Sequence, residues 1–132
     1  MTYFLDTNII SYVIKGNVAI RSNIVKLLVD GNDVKIPVVA YYEAKRGLLA
    51  TGATTNLDRF LNFAQKFGIV NTTIGTYDVA SQIYADLRKE GKLIEDADIF
   101  IGAASLENGA ILVTNNPSHL SRIKNIQLEV WN

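Results

Sequence analysis

The chain has 132 residues, of which 13 are basic and 13 acidic, so its formal net charge at pH 7 is zero. The lack of cysteine excludes disulfides, thiolate zinc sites and cysteine nucleophiles, and a single histidine argues against a histidine metal cage. A neutral chain is not held on nucleic acid by bulk electrostatics, so any such contact has to be local. Because the N-terminus has neither a basic leader nor a long apolar run, we expect a cytoplasmic protein without a signal peptide or membrane span. The length favours one domain over residues 1–132.

The order of apolar and turn-forming residues predicts strands that alternate with helices. In the first half, a strand at 3–5 precedes helices at 9–14 and 20–28, a strand at 34–39, and helices at 40–50 and 57–67. In the second half, a short strand at 69–72 precedes a helix from 76 to 90, an apolar helix at 99–106, a strand at 111–114, a short helix at Pro117 and a strand at 126–130. This alternation predicts an α/β fold, with a mostly parallel central sheet of about five strands flanked by helices.

Three acidic residues fall at comparable places in this scheme. Asp6 follows the first strand, Glu43 lies in the first turn of the helix after the second, and Asp98 begins the apolar helix. The carboxyl ends of parallel strands share one edge of a sheet, so these side chains can converge there. Converging carboxylates repel one another and lose hydration, and Mg²⁺ or Mn²⁺ relieves that cost with the oxygen ligands it prefers. Such an ion activates water and screens phosphate charge, as phosphodiester hydrolysis requires.

Each acid also has a purely structural interpretation. Asp6 can cap the first helix, and Glu43 can be an exposed residue favoured by the helix dipole. Asp96 can cap the apolar helix or belong to a solvated acidic face. Asp98 is harder to explain in this way, because the apolar run at 99–101 follows it directly and no lysine or arginine lies nearby in sequence to pair with it.

Six segments of the chain together resemble a known family. They are DTN at 6–8, Glu43, DIFIGAA at 98–104, LVTNN at 112–116, His119-Leu120 and Val130-Trp131. The first three resemble a PIN domain, and the others are similar to the VapC-type toxins of bacterial toxin–antitoxin pairs. The resemblance runs in order over essentially the whole chain.

The resemblance implies a site, an activity and partners. Asp6, Glu43 and Asp98 would be the catalytic acids and would hold Mg²⁺ or Mn²⁺. The chain would cleave RNA endonucleolytically, often in a tRNA or rRNA loop, by metal-activated water. It would form a homodimer and bind a cognate antitoxin whose tail enters the acidic groove.

One position departs from the family pattern. Many PIN domains carry a fourth acid two residues beyond a threonine or serine at the end of the fourth strand. Here the threonine is Thr114 and the residue two positions on is Asn116. Asparagine can hydrogen-bond a metal-bound water but adds no charge, which weakens the case for a second tightly held ion. We favour a role for Asn116 as N-cap before Pro117, and Thr114 can position a water or the acids.

Basic and aromatic residues near the acids suggest contacts with RNA and protein. Most basic residues of such a chain belong to a solvated charged surface, but Lys45 and Arg46 lie within a turn of Glu43, which makes them better candidates than the others for contact with phosphate. His119 stands alone, so we expect it to cap or pack the short helix. Several tyrosines can be either core residues or a surface for another chain, namely Tyr41, Tyr42, Tyr77 and Tyr84.

Two other functions stay open. A phosphatase with an aspartyl nucleophile at Asp6 usually needs a second acid two residues on, where this chain has Asn8, and a phosphate-binding lysine that is missing near Thr114. A degenerate PIN fold that serves only as an interaction module is disfavoured by the presence of all three acids but supported by Asn116.

Overall fold

Five short strands form one sheet in the computed structural model, which describes residues 1–132. The strands are β1 (Thr2–Leu5), β2 (Asp33–Pro37), β3 (Ile69–Val70), β4 (Ile111–Thr114) and β5 (Leu128–Val130). The helices are α1 (Thr7–Ile14), α2 (Val18–Val29), α3 (Val38–Ala50), α4 (Thr54–Phe67), α5 (Ile74–Lys89), α6 (Asp96–Glu107) and α7 (Pro117–Leu120). All neighbouring strands pair in parallel, in the order β3-β2-β1-β4-β5. The predicted α/β fold with a parallel sheet of about five strands is therefore confirmed.

The residue that follows the central strand β1 lies between the ends of its two neighbouring strands, β2 and β4. Phe4 pairs with Lys35 of β2, and Leu5 pairs with Val113 of β4. The backbone N–H of Asp6 donates to the carbonyl of Val113 at 2.9 Å, which continues the ladder one residue past β1. Because the strands are parallel, the residues after β1 and after β4 lie together at the carboxyl edge of the sheet.

The hydrophobic core lies beneath this edge. Helices α1, α3 and α4 pack together, as do α5 and α6, and members of both groups contact the sheet. Helix α6 packs closely, as its small residues predict, because Gly102 leaves the space that a Cβ would fill to the side chain of Ile123. No helix is both long enough and apolar enough to cross a membrane.

Helix α3 begins two residues earlier than the sequence predicts. The valines at 38 and 39 suggest a continued strand, but Pro37 ends β2 and, with φ −63° and ψ 141°, stands as the extended residue before the helix. Glu43 consequently lies in the second turn of α3 rather than in the first, and the helix dipole does not explain it.

Helices α5 and α6 also begin before the residue that the sequence predicts. Helix α5 opens at Ile74 and not at Thr76, because Thr73 and Thr76 form a reciprocal capping box in which each hydroxyl accepts from the other residue's backbone N–H. Helix α6 opens at Asp96 with Glu95 as its N-cap, so Asp96 is not the cap.

Gly47 lies inside α3, where glycine is a poor helix former. It is not among the positive-φ residues, and a Cβ built there meets no atom within 4 Å. Gly47→Ala is therefore expected to raise the free energy of unfolding by about 0.5–1 kcal/mol, because alanine limits the unfolded chain without a steric cost. Urea denaturation measures the change. Gly52→Ala is a suitable contrast, since its φ of +67° should make alanine destabilising. A loss of stability in Gly47→Ala would contradict the open surface at this position.

Candidate active site at the carboxyl edge of the sheet

Asp6 is the most buried acid of the chain and is held from two sides. Only 6% of its surface is exposed. Its Oδ1 accepts from the backbone N–H of Thr7 at 2.8 Å, so Asp6 caps α1 as its structural interpretation suggests. Its Oδ2 accepts from the hydroxyl of Thr114 at 2.8 Å and from the Asn8 amide at 3.4 Å. These contacts set the orientation of the carboxylate at the strand edge.

The surroundings of Asp6 raise the pKa of its carboxyl above the ordinary value. Burial is the largest cause, because it disfavours the charged form. The hydrogen bonds from Thr114 and Thr7 lower the pKa, and the negative charges of Asp98 and Glu43 raise it further. Keeping Asp6 ionised at neutral pH therefore costs folding free energy that a bound cation would relieve.

Glu43 reaches this edge from the second turn of α3. The hydroxyl of Thr7 donates to its Oε1 at 2.7 Å, which joins α3 to the start of α1. Its Oε2 lies 3.7 Å from Nη2 of Arg46, but the Arg46 side chain is 57% exposed, so the ion pair contributes little stability. Glu43 and Asp6 are thus connected through Thr7, which donates a hydrogen bond to each of them.

Asp98 lies in the first turn of α6 and has a partner that the sequence did not suggest. His119 of α7 places its Nδ1 3.4 Å from the carboxylate Oδ2. The predicted role of His119, to cap or pack its own short helix, does not include this contact. The sequence does not indicate the contact, because only the fold brings α7 against the start of α6.

The residues after β4 are tied to the start of α1 by Asn8. Its amide donates to the Thr114 hydroxyl at 3.4 Å, and its Oδ1 accepts from the backbone N–H of Asn115 at 3.1 Å. Thr114 is completely buried and also accepts from the backbone N–H of Asn116 at 3.1 Å. The sequence did not suggest this role for Asn8, whose side chain connects the end of β4 to the start of α1 beside Asp6.

Asn116 occupies the N-cap position of α7, before Pro117, but its side chain does not cap the helix. Its side chain makes no hydrogen bond to the helix backbone and instead accepts from the Ser118 hydroxyl at 2.9 Å. The predicted position is thus confirmed, while the predicted backbone contact is absent.

Of the residues predicted to contact RNA or another chain, the basic ones lie near Glu43 and most of the tyrosines lie at the surface. Lys45 donates to the Tyr41 hydroxyl at 3.3 Å, and the guanidinium of Arg46 lies 5.0 Å from the ring centroid of Tyr42. Tyr41 is half-buried against Phe60, whereas three of the four tyrosines are exposed, namely Tyr42, Tyr77 and Tyr84. Arg46 therefore stands beside Glu43 on an exposed part of α3.

The donor atoms at this edge suit a hard divalent cation. Asp6, Glu43 and Asp98 offer only carboxylate oxygens, and the two others raise the pKa of Asp6 by their charge. As placed, no three acidic or histidine side chains form a ready group of metal ligands. Mg²⁺ does not require one, because it commonly keeps several waters and binds through one or two carboxylates. The residues therefore fit a Mg²⁺ or Mn²⁺ ion held partly through water.

Comparisons with known proteins agree with this architecture. The PIN domain family model matches residues 3–126. Ribonuclease VapC2 of Haemophilus influenzae is 30% identical over 136 residues, and Ribonuclease VapC2 of Rickettsia felis is 27% identical over 132 residues; both alignments cover 99% of this chain and 98% of the relative. The crystal structure of VapBC2 from Rickettsia felis bound to a promoter DNA fragment superposes with a TM-score of 0.91, at 27% identity and full coverage of both chains. VapBC-1 from nontypeable Haemophilus influenzae gives 0.86 at 25% identity, over 99% of this chain and 98% of that one. The chain therefore belongs to the PIN domain family and, within it, to the VapC proteins.

Proposed function

We propose that this chain is a Mg²⁺- or Mn²⁺-dependent endoribonuclease and the toxin of a type II toxin–antitoxin pair. The observation that carries the proposal is the buried carboxylate of Asp6, whose pKa is raised by burial and by two further acids at the same sheet edge. A buried charge that its hydrogen bonds compensate only in part destabilises a fold, and it is typical of sites that bind a cation or carry out chemistry. The relatives named Ribonuclease VapC support RNA as the substrate.

Asp6, Glu43 and Asp98 would hold the ion together, in part through water. When bound, a divalent ion supplies an activated water and screens the charge of the scissile phosphate. Thr114 and the backbone N–H of Thr7 keep the Asp6 carboxylate in one orientation. The hydroxyl of Thr7 does the same for Glu43. Such fixed oxygen positions reduce the reorganisation needed when charge develops on the phosphate.

Two basic residues are placed to meet the RNA backbone. Arg46 is exposed and stands 3.7 Å from Glu43, and Lys45 neighbours it on α3. Their charges would pair with phosphates next to the cleaved bond, whereas the neutral chain as a whole supplies no broad attraction. Asn116 adds no charge, so we propose one firmly held ion rather than two.

The proposed partners are an antitoxin, a second copy of the chain, and a tRNA or rRNA in the cytoplasm. The neighbours of known structure are VapBC assemblies, which supports an antitoxin. The exposed rings of Tyr42, Tyr77 and Tyr84 provide apolar area for protein contacts, including a homodimer.

Incubation of the purified protein with total RNA tests the activity. With Mg²⁺ or Mn²⁺ we expect discrete fragments, and with EDTA we expect intact RNA, because the carboxylates alone do not activate water. Asp78→Asn, which neutralises an exposed acid of α5, should cut like the wild type. Cleavage that continues undiminished in EDTA would contradict the metal dependence. Intact RNA under every condition would favour the non-catalytic interaction module instead.

A further inference from the structure

The side-chain amide of Asn8 lies between two oxygens of the candidate active site. Its Nδ2 is 3.4 Å from Oδ2 of Asp6 and 3.4 Å from Oγ1 of Thr114, and these two oxygens are themselves 2.8 Å apart. An amide nitrogen carries two hydrogens, so it can donate one to each oxygen. Asn8 is thus the one side chain that donates to both Asp6 and Thr114.

The backbone N–H of Asn115 fixes the direction in which this amide points. It donates to Oδ1 of Asn8 at 3.1 Å. A backbone N–H only donates, so the carbonyl oxygen of Asn8 has to face Asn115, and the NH2 group has to face Asp6 and Thr114. The residue that directly follows β4 therefore holds the amide of Asn8 as a donor to the site.

The amide of Asn8 in turn determines the direction of the Thr114 hydroxyl. A hydroxyl has one hydrogen and accepts at most two hydrogen bonds. Oγ1 of Thr114 accepts from the backbone N–H of Asn116 at 3.1 Å and from Asn8. Its one hydrogen is therefore left for Oδ2 of Asp6, 2.8 Å away. Because Thr114 is completely buried, solvent cannot take the place of a missing donor.

The two oxygens of the Asp6 carboxylate are consequently not equivalent. Oδ2 accepts from the side chains of Thr114 and Asn8, whereas Oδ1 accepts only from the backbone N–H of Thr7. Each carboxylate oxygen offers about two acceptor positions, so Oδ2 is fully used and Oδ1 keeps one position free. Oδ1 is then the oxygen that would hold a divalent ion or one of its waters.

We infer that Asn8 is a positioning residue, which acts through Thr114 to hold the Asp6 carboxylate in the orientation that binds the divalent ion. This inference rests on the proposed function, because the ion belongs to that proposal. Loss of a hydrogen-bond partner of a metal ligand typically weakens metal binding by roughly 10- to 100-fold. A purely structural role, in which Asn8 only ties β4 to α1, predicts a loss of stability without a change in metal affinity.

Calorimetric titration with Mn²⁺, in the absence of RNA, measures how tightly the full chain binds the ion. The proteins are the wild type, Asn8→Ala, Thr114→Val, the double variant and the control Asn115→Ala. The control keeps the backbone N–H that meets Asn8 but loses the side-chain hydrogen bonds to Trp131 and Tyr12. It therefore weakens the same part of the fold without removing a contact to the acids. Thermal unfolding in EDTA establishes that each variant is folded.

Asn8→Ala should weaken Mn²⁺ binding by about tenfold, and Thr114→Val should have a similar effect. The double variant should lose less affinity than the product of the two single losses, because both changes disturb the same arrangement at Asp6. Asn115→Ala should bind Mn²⁺ as the wild type does, although its midpoint of thermal unfolding should fall. In RNA cleavage, the Mg²⁺ concentration that gives half-maximal activity should rise about tenfold in Asn8→Ala. If Asn8→Ala does not fold, Asn8→Ser replaces it, because a single hydroxyl cannot make all three contacts of the amide.

The opposite results are distinct. Wild-type affinity for Mn²⁺ in Asn8→Ala overturns the inference, whatever happens to the stability of that variant. An equal loss of affinity in Asn115→Ala also overturns it, because the effect would then come from the fold around the end of β4. Single losses that multiply fully in the double variant exclude the action through Thr114. A wild type that binds Mn²⁺ but cleaves no RNA overturns the proposed ribonuclease alone, whereas one that binds no Mn²⁺ overturns the metal dependence and the inference together.

Discussion

Asp6→Asn is expected to lower RNA cleavage by roughly a thousandfold and, at the same time, to stabilise the metal-free protein. Cleavage should fall because the neutral amide weakens binding of the ion and removes a fixed charge beside the reacting phosphate. Asparagine keeps an oxygen that can accept from the backbone N–H of Thr7, so the cap of α1 is retained. Single-turnover cleavage with Mg²⁺ or Mn²⁺ measures the loss.

The gain in stability should depend on pH. The folded-state pKa of Asp6 is raised above its ordinary value of 3.8, so the wild type loses stability as pH rises through that folded-state pKa. Below the ordinary pKa both states are protonated, and the difference between wild type and Asp6→Asn should be small and constant. At pH 7 in EDTA the variant should be more stable by on the order of 1 kcal/mol. Added Mg²⁺ should reduce the difference in stability between Asp6→Asn and the wild type, because the ion stabilises only the wild type appreciably.

Denaturation curves from pH 3 to 8, with EDTA and with Mg²⁺, measure this prediction. Asp78→Asn provides the matched control, since it removes a negative charge from an exposed helical position. A marked loss of metal-free stability at pH 7 in Asp6→Asn would mean that the carboxylate serves the fold, through Thr114 and the start of α1, and not an ion.

Expression of the chain alone is expected to arrest bacterial growth, and co-expression of its antitoxin should restore it. Uncontrolled RNA cleavage would harm the cell that makes the protein. The antitoxin should bind with one or more basic side chains, arginine above all, near Asp6, Glu43 and Asp98. Such a cation would satisfy the carboxylates as an ion does and would also block RNA, so binding and inhibition would have one cause. Exposed apolar residues such as Tyr42 and Tyr84 would provide anchorage.

Colony counts after induction measure the effect, with the neighbouring upstream reading frame as the first antitoxin to test. Asp6→Asn should be harmless at the same expression level. If the wild type is also harmless while the purified protein cuts RNA, the toxin assignment fails and the nuclease assignment survives.

Local patterns along the chain were sufficient to predict the sheet and the placement of the acids along it. The runs at 3–5 and 111–114 are short, apolar and followed at once by polar residues, and both are strands in the structure. Parallel pairing then puts their ends on one edge, which is why Asp6 and Thr114 could be placed before their contact was known. The catalytic and ligand roles of the acids stay predictions until the cleavage measurements are made.

Helix starts were predicted less well, because several residues in a row favour the same state. Val38 and Val39 have high strand propensity, but their position after Pro37 places them in the first turn of α3. Thr73 and Thr76 are both good caps, and only the observed exchange of hydrogen bonds decides that the first is the N-cap.

The contacts that give the site its character were decided by tertiary structure alone. Asn8 meets Thr114 across 106 positions of the chain, and His119 meets Asp98 from another helix. The burial that raises the pKa of Asp6 likewise exists only once β4 and the helices enclose the end of β1. Periodicity and capping patterns extend over a few residues, so they determined the elements of this protein and their order. The pairing of distant side chains depends on how those elements pack.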